Sequence, residues 1–204
     1  MQDAQGQDIT VASEASARAF DHVIEGFLKY RFDTGLRLKA FRTADPTAPL
    51  GQVMAGCFAM LAYDRAMVPR AEAAVTAAEA MPANARERAH MAALRAWVEG
   101  APDRALSIWE GIVAEHPRDL LAFRLHHFCA FWMGAPARML TLVEQVLPLG
   151  QRRQRLRLCR LNPQSPQWPR WCLRQRWLSG HRRPAMGLHS TLYRFPARTV
   201  DRRI

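Results

Sequence analysis

The strongest constraint on this chain is a phrase written twice. Gly100-Ala-Pro-Asp-Arg-Ala-Leu106 returns as Gly134-Ala-Pro-Ala-Arg-Met-Leu140, with the glycines 34 residues apart. A period of that length, with a Gly-Pro break in each copy and apolar segments between, marks stacked helical hairpins, because one such unit cannot bury its apolar side alone. Pro46, Pro82 and Pro117 follow one another at 36 and 35 residues, so a second residue type carries the period independently.

Helical spacing of apolar residues fills the intervals. Ala17, Phe20, Val23, Ile24, Phe27, Leu28 and Phe32 share one face of a helix that the sequence closes at Gly35; a short second helix then runs through Leu36, Leu38 and Phe41. Thr47 is placed to cap the next helix, with Pro49 in its first turn, and Pro69 opens an alanine-rich helix reaching Met81. Asn84 with Glu87 three positions on forms a capping box for a helix to Glu99. Pro102 starts the next helix, which buries Ala105, Leu106, Trp109, Ile112 and Val113. A fourth pair runs over Asp119 to Met133 and Ala137 to Leu147. The predicted class is all-α: an α-solenoid of about four antiparallel hairpins over residues 13–148, preceded by an N-terminal extension, 1–12, and followed by a basic, poorly ordered tail, 149–204.

Charge separates that tail from the rest. Residues 1–150 carry 15 Lys+Arg against 17 Asp+Glu, whereas residues 151–204 carry 14 against 1, all 14 of them Arg. The whole excess of +11 therefore belongs to the last quarter. Three readings of the tail stay open. Translation out of frame from a GC-rich gene gives Arg, Pro, Trp and Cys while losing Lys and Glu together; a disordered basic extension is the second. The third is nucleic-acid binding, with Arg on phosphates and Trp168, Trp171 and Trp177 stacking on bases. The abruptness of the change favours the first.

With Arg86 taken as the first position of a unit, Ala93 stands eighth, Gly100 fifteenth, Ala105 twentieth and Trp109 twenty-fourth, with Pro117 near the end. This resembles a tetratricopeptide repeat. In the next unit Phe123 and Gly134 fit, but His127 and Met139 stand where small residues are usual. Residues 3–148 look more specifically like the N-terminal part of the bacterial tetratricopeptide repeat protein 38 family. The residues carrying that likeness are Asp3-x-x-Gly6, Val11-Ala-Ser, Ala44-Asp-Pro46, Ala85-Arg-Glu-Arg-Ala-His90 and Glu115-His-Pro-Arg-Asp119. The resemblance implies a cytoplasmic α-solenoid without established catalysis, longer in the family than here. From Leu149 onward nothing matches it.

The predicted function is a non-catalytic interaction scaffold that takes a protein or peptide segment on a concave face. If repeat geometry holds, that face carries Glu87, His90, Trp97, Arg124, Phe128 and Phe131; the competing reading makes Trp97, Phe128 and Phe131 core between hairpins. His126-His127 are adjacent on a helix and point about 100° apart, which suits packing better than a shared metal ion. No catalytic, cofactor or metal residue is assigned, since no phosphate loop, G-x-S-x-G or H-E-x-x-H occurs. Met1 to Ser16 lacks the pattern of a secretory leader, no apolar run reaches membrane-spanning length, and the four cysteines form no C-x-x-C pair, all of which point to the cytoplasm. If the tail is not repeat sequence, Met139, Leu140, Leu142, Val143, Val146 and Leu147 are left partly uncovered, which predicts self-association.

Overall fold

A computed structural model describes residues 1–150; the tail, with its out-of-frame, disordered and nucleic-acid readings, lies outside the described residues. Eight helices account for most of the described chain: α1 (Glu14–Leu28), α2 (Thr34–Ala44), α3 (Pro49–Leu61), α4 (Val68–Glu79), α5 (Ala85–Val98), α6 (Pro102–Glu115), α7 (Leu120–Trp132) and α8 (Pro136–Gly150). Among the described residues no strand forms, apart from an isolated bridge between Gln2 and Asp8. Each odd helix packs on the even helix that follows it, and the short connections force such neighbours to run back on each other. α3 also lies against α5, α6 against both α7 and α8, and α1 reaches α7, so the first hairpin touches the fourth.

The turn between the two helices of a hairpin has one backbone solution, used four times. The second residue past the helix adopts a left-handed conformation at Tyr30 (φ 54°), Tyr63 (φ 51°), Gly100 (φ 79°) and Gly134 (φ 67°). At α1, α5 and α7 the next amide closes a bond back across the helix end: Arg31 N to the Gly26 oxygen at 3.0 Å, Ala101 N to Ala96 and Ala135 N to Ala130 at 2.8 Å each. That is the glycine C-cap of helices, which satisfies otherwise orphaned carbonyls. Glycine reaches this conformation without strain, while a side chain there costs about 1–2 kcal/mol. The first two hairpins place tyrosines in it, so a search for glycines finds only two of the four turns.

Local signals behave as their chemistry dictates. The Asn84–Glu87 capping box closes in both directions, Pro49 and Pro102 sit in first helical turns, and α6 buries the five residues its spacing selected. Three expectations fail. Gly35 lies inside α2 and does not end α1, which is stopped by the turn at Tyr30. Phe32, beyond that turn, is fully exposed (101%), and Leu36 is exposed too (71%). Thr47 caps nothing: its hydroxyl donates to Asp45 Oδ1 at 2.9 Å, and Ala48 precedes α3.

The core is one continuous apolar body running from Phe20 and Phe41 in the first hairpin through Val53, Met54, Leu94 and Trp109 to Leu125 and Leu142. Gly56 lets the helices close up: a β-carbon there meets Leu94 Cδ2 at 2.5 Å and the Ala71 oxygen at 3.4 Å. On α8, Leu142 is buried and Met139 and Val146 pack on the core, while Leu140 and Leu147 stay exposed.

Candidate functional site

The first twelve residues are not a loose extension. A tight turn, in which Asp3 Oδ1 accepts from the amides of Gln5 (2.9 Å) and Gln7 (2.8 Å), folds them into a strap that buries Ile9. Thr10 fixes the strap by donating to Glu87 through its amide (2.7 Å) and its hydroxyl (2.6 Å). The Asp8 carbonyl accepts from Asn84 Nδ2 (3.0 Å) and Arg86 Nη2 (2.9 Å), and the Ala12 amide donates to Asp45 Oδ2 (2.7 Å).

Beneath the strap lies a buried ionic knot. Asp119 accepts at Oδ2 from Arg86 Nη1 (2.6 Å), lies 2.9 Å from His90 Nε2, and caps α7 by accepting from the Ala122 amide at Oδ1 (2.8 Å). Burial alone raises a carboxyl, but His90 and Arg86 outweigh it here and hold Asp119 well below the usual carboxylate range. Two residues assigned to the concave face from sequence, Glu87 and His90, are spent on this assembly and are fully buried. The Glu87 oxygens serve the strap and the α5 cap and His90 Nε2 meets Asp119, so neither residue is presented to a partner. Trp97 is also buried, edge-on to Trp109 at 5.7 Å between ring centres, which makes it core. Of the residues that carry the family resemblance, Asp45, Arg86 and Glu87 bond to the strap directly, Asp119 holds Arg86 in place, and Asp3 turns the strap on itself.

A second polar group, partly buried, joins the last two hairpins. Arg138 clamps Glu110 through Nε (2.7 Å) and Nη2 (2.8 Å), while His126 Nε2 lies 2.9 Å from the same carboxylate. The Arg138 hydrogen bond keeps Glu110 below its ordinary range, and burial lowers His126. Among the described residues no three His, Cys, Asp or Glu side chains gather as a metal set. His126 and His127 face different neighbours, Glu110 for one and the ring of Phe123 for the other.

The accessible candidate is aromatic and gathers where the odd helices end. Phe27 packs on both Phe58 (5.2 Å) and Phe128 (5.9 Å), Tyr30 meets Phe128 edge-on (6.0 Å), and Tyr63 packs on Trp132 (5.0 Å), which meets Phe131 (5.4 Å). Arg124 lies with its guanidinium carbon 4.4 Å from the Tyr30 ring centre and 4.5 Å from that of Phe128. An open cleft of about 410 Å³ adjoins this cluster, lined by Phe27, Tyr30, Phe58 and Leu61 with Arg31 and Thr34. Tyr30 (54%), Tyr63 (44%) and Trp132 (62%) are substantially exposed, an unusual concentration of wet aromatic surface. Of the six residues selected from sequence, Arg124, Phe128 and Phe131 are brought together here. Tyr30, Tyr63 and Trp132 were missed; the repeat spacing of the two tyrosines to Gly100 was the available signal.

His127, on the same helix, is pushed down to about 4, first by burial and then by the nearby Arg124 and His126 charges. Burial lowers Arg124 as well. No helix of the described residues is long and apolar enough to cross a membrane. A scan against protein-family models matches none, and no solved structure is found to match the chain.

Proposed function

We propose that the chain is a non-catalytic interaction scaffold of tetratricopeptide-like hairpins that holds a partner's protein segment against its aromatic face. The family resemblance and a cytoplasmic location belong to the same proposal. The observation that carries it is the set of exposed rings Tyr30, Tyr63 and Trp132 at or beside the helix-end turns, with Phe128 half-buried against Tyr30. Aromatic side chains offer large contact area for few rotatable bonds, and a rigid display lowers the ordering cost of docking. Tyr30 and Tyr63 support the reading further, because strained backbone at an exposed aromatic residue is retained where the ring is used.

The binding face differs in composition from the one read in the sequence. Glu87, His90 and Trp97 leave it: the strap occupies the end of α5 that carries Glu87 and His90, and Trp97 is core against Trp109. The test is selection of displayed random peptides on the full chain, repeated with Tyr63→Ala/Trp132→Ala. Enriched peptides whose binding falls at least tenfold in the double variant support the reading. Absence of enrichment, or enrichment indifferent to the two substitutions, contradicts it.

A further inference from the structure

Three arginines of this molecule can be compared atom by atom. Arg138 meets Glu110 with its Nε and Nη2 edge, at 2.7 and 2.8 Å. Arg95 meets Glu79 with the same edge, at 3.1 and 2.5 Å. Arg124 has this edge too, with Nε and Nη2 both shielded from solvent and both without a hydrogen-bond partner. The side chain is only 8% exposed, and among the described residues no carboxylate pairs with it; its neighbours are the Tyr30 hydroxyl and the rings of Tyr30 and Phe128.

A guanidinium keeps its charge at any physiological pH, so burial leaves the cation in place and uncompensated. The two rings supply cation–π attraction to its faces and the Tyr30 hydroxyl a neutral hydrogen bond, but neither brings a negative charge, and Nε and Nη2 stay unpaired. Nearby His127 favours its neutral form, so it adds no second positive charge, and it offers no negative one. What is missing is a planar acceptor with two oxygens about as far apart as the two donors. Glu110 and Glu79 already fill that role elsewhere in the chain.

We propose that Arg124 is a binding site for a carboxylate that arrives beside an apolar group, the carboxylate bridging Nε and Nη2 and the apolar group lying on Tyr30, Phe27 and Phe58. The cover is Tyr30. Its ring stands over one face of the guanidinium, is half exposed and lines the open cleft beside α2, so swinging that ring off Arg124 is the movement that admits a carboxylate. The site stands on its own geometry; only the statement that the carboxylate comes from a protein segment rests on the scaffold reading.

The test uses the full chain labelled with ¹⁵N and follows the Arg124 Nε–H signal, assigned by its loss in Arg124→Met. The probes are benzoate, inorganic phosphate, and three tripeptides capped at the N-terminus: Phe-Glu-Phe amide, Phe-Gln-Phe amide, and Phe-Gln-Phe with a free C-terminus. Benzoate and at least one of the two carboxylate peptides are expected to shift the signal saturably, the glutamine amide to leave it in place, and Arg124→Met to weaken binding at least tenfold. Which peptide acts distinguishes an acidic side chain from a chain terminus. Arg124→Met is also expected to be at least as stable as the parent without probes, whereas a purely structural clamp predicts a loss of stability. A response to phosphate alone, no response to any carboxylate, or equal binding of the Glu and Gln amides overturns the proposal. Benzoate bound without either carboxylate peptide retains the site and removes the protein segment; peptides bound without regard to carboxylate retain the scaffold and remove the site.

Discussion

Replacement of Asp119 by alanine is the most informative single perturbation of this fold. Asp119 performs two tasks at once, capping α7 through the Ala122 amide and neutralising Arg86 beneath the strap. Losing the cap costs about 1 kcal/mol. Stranding the buried Arg86 charge costs about 3–5 kcal/mol more, because the carboxylate hydrogen-bonded to it is gone and Asp3 acts on it only through space. A total of about 4–6 kcal/mol is a large share of the stability of a domain this size and corresponds to a fall in Tm of roughly 10–20 °C. Asp119→Asn separates the two tasks: asparagine caps nearly as well and keeps the shape, so only the charge term is lost. Arg86→Met added to Asp119→Ala removes the stranded charge and is predicted to recover stability relative to Asp119→Ala alone, a sign that only an ionic coupling produces. Urea unfolding followed by circular dichroism measures all four proteins. If Asp119→Ala lies within about 1 kcal/mol of the parent, or if the added Arg86→Met only makes matters worse, the ionic account of the strap anchor is refuted.

Three further outcomes follow from the same geometry. At the repeated turn, Tyr63→Gly is expected to be more stable than Tyr63→Ala by about 1 kcal/mol, because both lose the contact with Trp132 but only glycine relieves the backbone; equal stabilities on urea unfolding contradict the shared turn. Gly111→Ala, on the exposed side of α6 with nothing within 4 Å of the added carbon, is expected to stabilise by about 1 kcal/mol in the same assay. The pH profile has a definite sign: His127 has its folded value depressed to about 4. Above its unfolded value near 6.5 its contribution is constant, and as pH falls from there toward 4 the unfolded chain binds the proton first, so stability drops by on the order of 2 kcal/mol. His126, lowered by burial, acts in the same direction, and Asp119 adds a further loss as pH falls below the usual carboxylate range. His127→Gln flattens the profile between pH 6.5 and 4 if the assignment holds, and leaves it unchanged if it does not.

What the sequence made legible is what local chemistry decides. The capping box at Asn84, the prolines in first turns and the apolar stripe of α6 depend on residues within one or two turns of each other, so pattern alone places them. The candidate face was harder because its fate is decided at long range. Glu87 reads as a capping-box residue and a concave-face contact until Thr10, 77 positions earlier, is laid across it. Arg124 reads as a concave-face contact until Tyr30, just past α1, is brought over it. Tyr30 and Tyr63 escaped notice for another reason: tyrosine carries no turn signal, and only the 33-, 37- and 34-residue steps from Tyr30 through Tyr63 and Gly100 to Gly134 expose their role.

The arrangement on which the binding proposal depends is the meeting of the first and fourth hairpins around Arg124. It is tested directly by nuclear Overhauser contacts in a protein with protonated Tyr and Phe rings in a deuterated background. With ring centres 6.0 Å apart, Tyr30 and Phe128 are predicted to give cross-peaks that vanish in Tyr30→Ala. A folded protein with no cross-peaks between Tyr30 and Phe128 does not bring the first hairpin against the fourth, and the enclosed Arg124 site does not exist in it.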